Sequence, residues 1–105
     1  MKILFDHGTP VPLRVARVGH IIETAYERGW STLGNGELLT AAEDASFDVL
    51  LTMDQSLPSQ QNLAGRRLAV VVLPTTDWRQ IREHVGEIET VLRAVRPGEF
   101  GDVIW

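Results

Sequence analysis

Short apolar runs alternate along this chain with stretches of helical periodicity, and that alternation confines the fold to an α/β layer structure. Lys2-Ile3-Leu4-Phe5, His20 to Thr24, Val49-Leu50-Leu51-Thr52 and Leu68 to Leu73 read as strands. The third and fourth runs are apolar at consecutive positions, a pattern suited to a strand covered on both faces, as in the middle of a parallel sheet. Helical signals fill the intervals. Thr9-Pro10 reads as an N-cap with proline at the first helical position, opening a short helix that turns Leu13 and Ala16 inward and stops near Gly19. Asn35 reads as the N-cap of a helix running to about Ser46, with Leu38, Leu39, Ala42 and Ala45 on its buried face. Gln55 to Gly65, which contains Pro58, reads as a turn or one short helical piece. After a capping box at Asp77 and Gln80, Trp78, Ile81, Val85, Ile88, Leu92 and Val95 recur at spacings of three or four. This predicts one long amphipathic helix, ended by Arg96-Pro97-Gly98. Asp102 to Trp105 predicts a last strand at a sheet edge. The expected architecture is a three-layer α/β/α sandwich around a mostly parallel sheet of four or five strands, in one domain spanning residues 1–105.

Composition narrows the function classes. The longest unbroken apolar run is Leu68 to Leu73, six residues, against the roughly 18 needed to cross a bilayer. Asp6 interrupts the N-terminal Ile3-Leu4-Phe5 before a signal-peptide core can form. With no cysteine in the chain, disulfides, thiolate metal sites and cysteine nucleophiles are excluded, and a reducing cytoplasm is the expected compartment. Any metal must be held by oxygen or imidazole. The net charge is −4, and it is unevenly spread: Asn35 to Gly65 carries five acids (Glu37, Glu43, Asp44, Asp48 and Asp54) and no basic residue. Such a segment repels phosphate backbones, which argues against a duplex-DNA binder driven by counterion release.

Topology turns sequence positions into geometry. In an open parallel sheet every strand ends on the same rim, the following helices begin there, and ligands bind there. Asp6 just past strand one, Glu37 in the first turn of the helix after strand two, Asp54 just past strand three and Asp77 at the helix start after strand four should all face that rim. Each has a local use as well: turn formation for Asp6 and Asp54, dipole compensation for Glu37, and capping for Asp77. Their coincidence on one rim is the functional signal. A carboxylate cluster calls for a compensating cation, and hard divalent ions such as Mg²⁺ or Mn²⁺ take oxygen ligands while keeping waters that a phosphate can replace. His7 is a candidate metal or phosphate contact, and Thr52 and Ser56 are candidates for holding a carboxylate or water in place. Arg14, Arg66 and Arg67 are the candidate contacts to a nucleic-acid backbone.

Other sites for phosphate chemistry and hydrolysis are missing. No glycine-rich turn ends in Gly-Lys-Ser or Gly-Lys-Thr, and no G-x-S-x-G elbow occurs. A phosphoacceptor receiver domain also carries aspartates after strands one and three, but it needs a lysine after its last strand, and the only lysine here is Lys2.

Met1 to Asp6, the proline-containing first helix, Gly19-His20, Gly36-Glu37-Leu38-Leu39 and Val49 to Asp54 together resemble the small bacterial PIN-like proteins, relatives of the PIN-domain nucleases found as toxins in toxin-antitoxin pairs. The resemblance covers about residues 1–95. It implies an α/β/α sandwich and Mg²⁺ or Mn²⁺ coordination by Asp6, Glu37 and Asp54, which occupy the matching positions. It further implies metal-dependent hydrolysis of single-stranded RNA, a small antitoxin partner and a possible homodimer. Many members carry a further acid where this chain has His7, and another where it has Ser56. Asp77 could replace a missing acid only if strand four lies beside strand one. The competing expectation is a non-catalytic PIN-like interaction module with an incomplete acidic site.

Overall fold

The computed structural model describes residues 1–7, 9 and 20–105. Strands β1 (Lys2–Phe5), β2 (Ile21–Thr24), β3 (Val49–Thr52), β4 (Ala69–Val72) and β5 (Phe100–Asp102) form one sheet in the order β2-β1-β3-β4-β5. Every neighbouring pair is parallel. Among the described residues the helices are α1 (Asn35–Asp44), α2 (Leu57–Gln60), α3 (Trp78–Ile81) and α4 (Val85–Ala94). The expected helix between Thr9 and Gly19, with Leu13, Ala16 and the candidate phosphate contact Arg14, lies outside the described residues apart from Thr9.

Strand pleating sorts the core into two halves, because successive side chains point to opposite faces. Ile3, Phe5, Val49, Leu51, Ala69 and Val71 pack on one face with Ile81, Ile88 and Leu92 from α3 and α4. Leu4, Leu50, Val70 and Val72 pack on the other with Leu38, Leu39 and Ala42 of α1 and Leu57 of α2. β3 and β4 are buried at all four positions, as expected for strands covered on both sides.

The helices cover the faces in an unusual way. β2→β3 and β3→β4 both advance toward β5 with α1 and α2 on one face, whereas β4→β5 advances in the same direction with α3 and α4 on the opposite face. The last crossover is therefore opposite in hand to the two before it, a departure from the near-uniform right-handed rule for parallel connections. It places α4 on the apolar face that α1 and α2 leave uncovered.

Three local expectations are corrected. The long helix expected after Asp77 is two helices, with α3 ending at Ile81 and α4 starting at Val85 behind His84 as N-cap. Periodicity could not register the break, since Ile81, Ile88 and Leu92 reach the same core in either arrangement. His84 stabilises the restart: its ring Nδ1 lies 2.8 Å from Glu87 Oε2 in the first turn of α4. Asp77 caps α3 by accepting from Arg79 N at 2.9 Å, while Gln80 turns its Oε1 to Trp105 Nε1 instead of closing a capping box. The final strand is at the edge, as expected, but it lies at Phe100–Asp102 rather than Asp102 to Trp105. Gly101 permits this, because a Cβ there would stand 2.8 Å from Val91 Cγ1 on α4.

No described helix is long and apolar enough to cross a membrane.

Candidate functional site

In this strand order the chain leaves β1 toward one side for β2 and returns on the other side for β3, so the topological switch point lies between β1 and β3. Crevices at the carboxyl ends of strands flanking such a point are where open α/β sheets bind ligands. The register aligns Phe5 with Leu51, which puts Asp6 and Thr52 side by side at that rim.

Thr52 is fully buried and joins the two strand ends. Its hydroxyl donates to Asp6 Oδ2 at 2.7 Å and accepts from the backbone N–H of Asp54 at 3.1 Å. The other Asp6 oxygen, Oδ1, accepts from His7 N at 2.7 Å. Asp54 Oδ1 accepts from both Ser56 N at 2.9 Å and Ser56 Oγ at 2.6 Å, and Oδ2 accepts from Asn35 Nδ2 at 3.1 Å. The Ser56 hydroxyl, then the Ser56 N–H, hold the Asp54 carboxyl below the ordinary aspartate range; burial opposes them by less than either, and Asn35 and the Leu57 N–H add smaller lowering contributions. Asp54 is thus held as an ionised acceptor at the rim. The local turn expected of it is present too, since Ser56 N–H bonded to Oδ1 closes an Asx-turn.

Asn35 plays a part that its sequence position disguised. Instead of capping α1, it is the first helical residue behind Gly34, and its side chain reaches across to Asp54. An asparagine between two glycines at a helix start reads locally as a cap, and only the approach of β3 shows its other use.

Glu37 does not join the carboxylates in this arrangement. Its Oε1 accepts from Gly34 N at 3.4 Å, the acidic half of a capping box on its own helix. It also lines an open depression on α1 with Leu33, Thr40 and Asp44. Asp77 is likewise apart, for β4 lies beside β3 and not beside β1. The condition for its substituting for a missing acid therefore fails. Arg66 and Arg67 precede β4 and lie at the opposite rim, where Arg66 pairs with Glu43 at 3.6 Å and Arg67 N bonds to the Glu43 carboxylate. They stand at the other end of the sheet from Asp6 and Asp54. His7 is exposed beside Asp6.

Among the described residues no three histidine, aspartate or glutamate side chains gather in a way that could hold a metal ion. The donor chemistry of the pair is nonetheless specific. Each carboxylate oxygen has two lone pairs. Among the hydrogen bonds of the described residues, Asp6 spends one on each oxygen, whereas Asp54 spends both on Oδ1 and one on Oδ2. Counted over the described residues, acceptor capacity therefore remains on both oxygens of Asp6. Mg²⁺-type ions commonly bind through one or two carboxylates, with waters and substrate phosphates completing the shell, and Asp6 and Asp54 are the carboxylates this rim would offer such an ion. Comparisons with protein-family models, with curated proteins and with solved structures returned no match.

Proposed function

We propose that the rim formed by Asp6, Thr52 and Asp54 is the site of a divalent-metal-dependent ribonuclease of the PIN-like type, cleaving phosphodiester bonds in single-stranded RNA. The observation that carries this reading is the placing of two carboxylates at the ends of adjacent parallel strands at the switch point, where one buried hydroxyl donates to the Asp6 carboxylate and accepts from the Asp54 backbone N–H. Asp6 and Asp54 would hold Mg²⁺ or Mn²⁺, which when bound supplies Lewis-acid neutralisation of charge on a phosphate oxygen. The chain's own residues prepare the site. Thr52 fixes the direction of Asp6, while Ser56 and Asn35 keep Asp54 ionised and aimed. The basic-free stretch from Asn35 to Gly65 disfavours a duplex, whose affinity comes from phosphate neutralisation. On the family resemblance, the protein is the toxin of a toxin-antitoxin pair acting in the cytoplasm.

A second reading rests on Glu37. With that acid folded back on its own helix start, the rim would serve a non-catalytic interaction module. Calorimetric titration of Mn²⁺ into the metal-free protein and into Asp54→Asn, followed by a cleavage assay on a single-stranded RNA pool with Asp6→Asn as control, separates the two. One saturable Mn²⁺ site lost in Asp54→Asn, with cleavage lost in folded Asp6→Asn, is the expected result. Cleavage retained by a pure Asp6→Asn preparation would refute the assignment, and absence of both metal binding and cleavage would favour the interaction module.

A further inference from the structure

Beside the carboxylate pair, the same rim carries a second feature. A cavity of about 270 Å³ opens between the ends of β4 and β5, lined by Gln55, Val72, Pro74, Asp102, Ile104 and Trp105, among others. Gln55 directly follows Asp54, so cavity and carboxylate pair are neighbours along the rim. Trp105 is fixed there. Its ring stacks on His84 with centroids 4.3 Å apart and planes 2° from parallel, and its Nε1 points to Gln80 Oε1 at 3.5 Å. The α3–α4 break is what brings His84 to that position. An indole held in a rim cavity by a stacked neighbour is a platform for a further planar ring.

The polar lining specifies which ring. Gln55 spends one of its two amide N–H donors on Leu73 O, which orients the side chain. Among the hydrogen bonds of the described residues none engages the Asp102 carboxylate. The Asp102 carboxylate thus presents a pair of acceptors to a ligand in the cavity. Of the four RNA bases, guanine has adjacent N–H and NH₂ donors on one edge that match a single carboxylate, whereas adenine and cytosine place an acceptor next to their amino group and uracil flanks its N–H with carbonyls. The volume lies just below the range for ligands of drug size, about 300–1,000 Å³, and so suits a base rather than a whole nucleotide.

We infer that this cavity is a guanine subsite, in which Trp105 stacks on the base and Asp102 accepts from its Watson–Crick edge. It gives the proposed ribonuclease a preference for guanine next to the cleaved bond, and it rests on that reading for its biological use, though not for its test. The test is titration of the neutral nucleosides guanosine, adenosine, cytidine and uridine into the full chain by ligand-observed NMR, with the wild type, Trp105→Ala, Trp105→Phe, Asp102→Asn and Asp54→Asn. Guanosine should bind in preference to the other three. Trp105→Ala should weaken it about 5- to 150-fold, the range for a lost base–aromatic stack, with Trp105→Phe restoring much of the loss. Asp102→Asn should remove the preference for guanosine, and Asp54→Asn should leave binding unchanged, because that carboxylate serves the neighbouring site. Lack of guanosine binding, equal binding of all four nucleosides, or a preference that survives Asp102→Asn overturns the subsite. Guanosine bound selectively by a protein that cleaves no RNA upholds the subsite and refutes the ribonuclease reading alone.

Discussion

Replacing Thr52 with valine removes one hydroxyl while conserving shape, and the structure says what that hydroxyl does. Two hydrogen bonds disappear, one donated to the Asp6 carboxylate at 2.7 Å and one accepted from Asp54 N at 3.1 Å. A bond to a charged acceptor contributes about 1.5–3 kcal/mol and an ordinary one about 1 kcal/mol. The extra buried methyl of valine returns about 0.8 kcal/mol. The net expectation is a loss of about 2–3 kcal/mol, a large share of the roughly 5–15 kcal/mol that stabilises a domain. Thr52→Ser keeps both bonds and gives up one buried methyl, at a cost of about 1 kcal/mol. Urea unfolding followed by circular dichroism should therefore rank the proteins wild type, Thr52→Ser, Thr52→Val in falling stability. Thermal midpoints should follow, at about 4–8 °C per kcal/mol for a domain of this size. A Thr52→Val protein as stable as Thr52→Ser would refute the argument, because it would mean that the hydroxyl bridge contributes nothing beyond its methyl neighbour.

Other consequences are open to direct measurement. Because Asp54 is held below the ordinary aspartate pKa of about 3.9, its interactions with Ser56 stabilise the fold above that value, and the contribution is lost as pH falls through the depressed folded value. In Ser56→Ala the carboxyl should titrate closer to the ordinary value by NMR, and the acid limb of the stability curve should flatten; an unchanged Asp54 titration would reject Ser56 as the main cause. Gly101→Ala puts a Cβ 2.8 Å from Val91 Cγ1 and should cost about 1–3 kcal/mol of overpacking in a denaturant titration. Combining it with Val91→Ala should recover part of that loss, and a simple sum of the two single losses would show that the contact is not responsible.

Much of this rim was legible in the sequence. Thr52 ends a β-type run and Asp6, Asp54 and Ser56 follow one, and the end of a parallel strand needs only chain direction to be assigned to a rim. Glu37 and Asp77 met the same criterion and yet stand apart. A residue at a helix start can turn inward to a neighbouring strand or back onto its own N-terminus, and periodicity does not distinguish the two. Asn35 took the inward course and Glu37 the backward one, though they are two residues apart. The cavity at Trp105 was invisible for a related reason, since its lining comes from Gln55, the ends of β4 and β5, and the last residues of the chain.

By itself the sequence determined that this protein is a layered α/β domain with a buried parallel sheet and acids at the carboxyl ends of its strands. Hydrophobic period and turn chemistry are properties of a few neighbouring residues, and they act wherever the segment lies. Tertiary structure decided that β3 rather than β4 adjoins β1, that the last crossover reverses hand, that the C-terminal helical segment breaks at His84, and that one buried hydroxyl ties the Asp6 carboxylate to the backbone of Asp54 while Glu37 and Asp77 stand apart. These outcomes depend on which apolar face is still uncovered and which donors arrive beside a carboxylate when distant segments pack, and that information belongs to no single stretch of the chain.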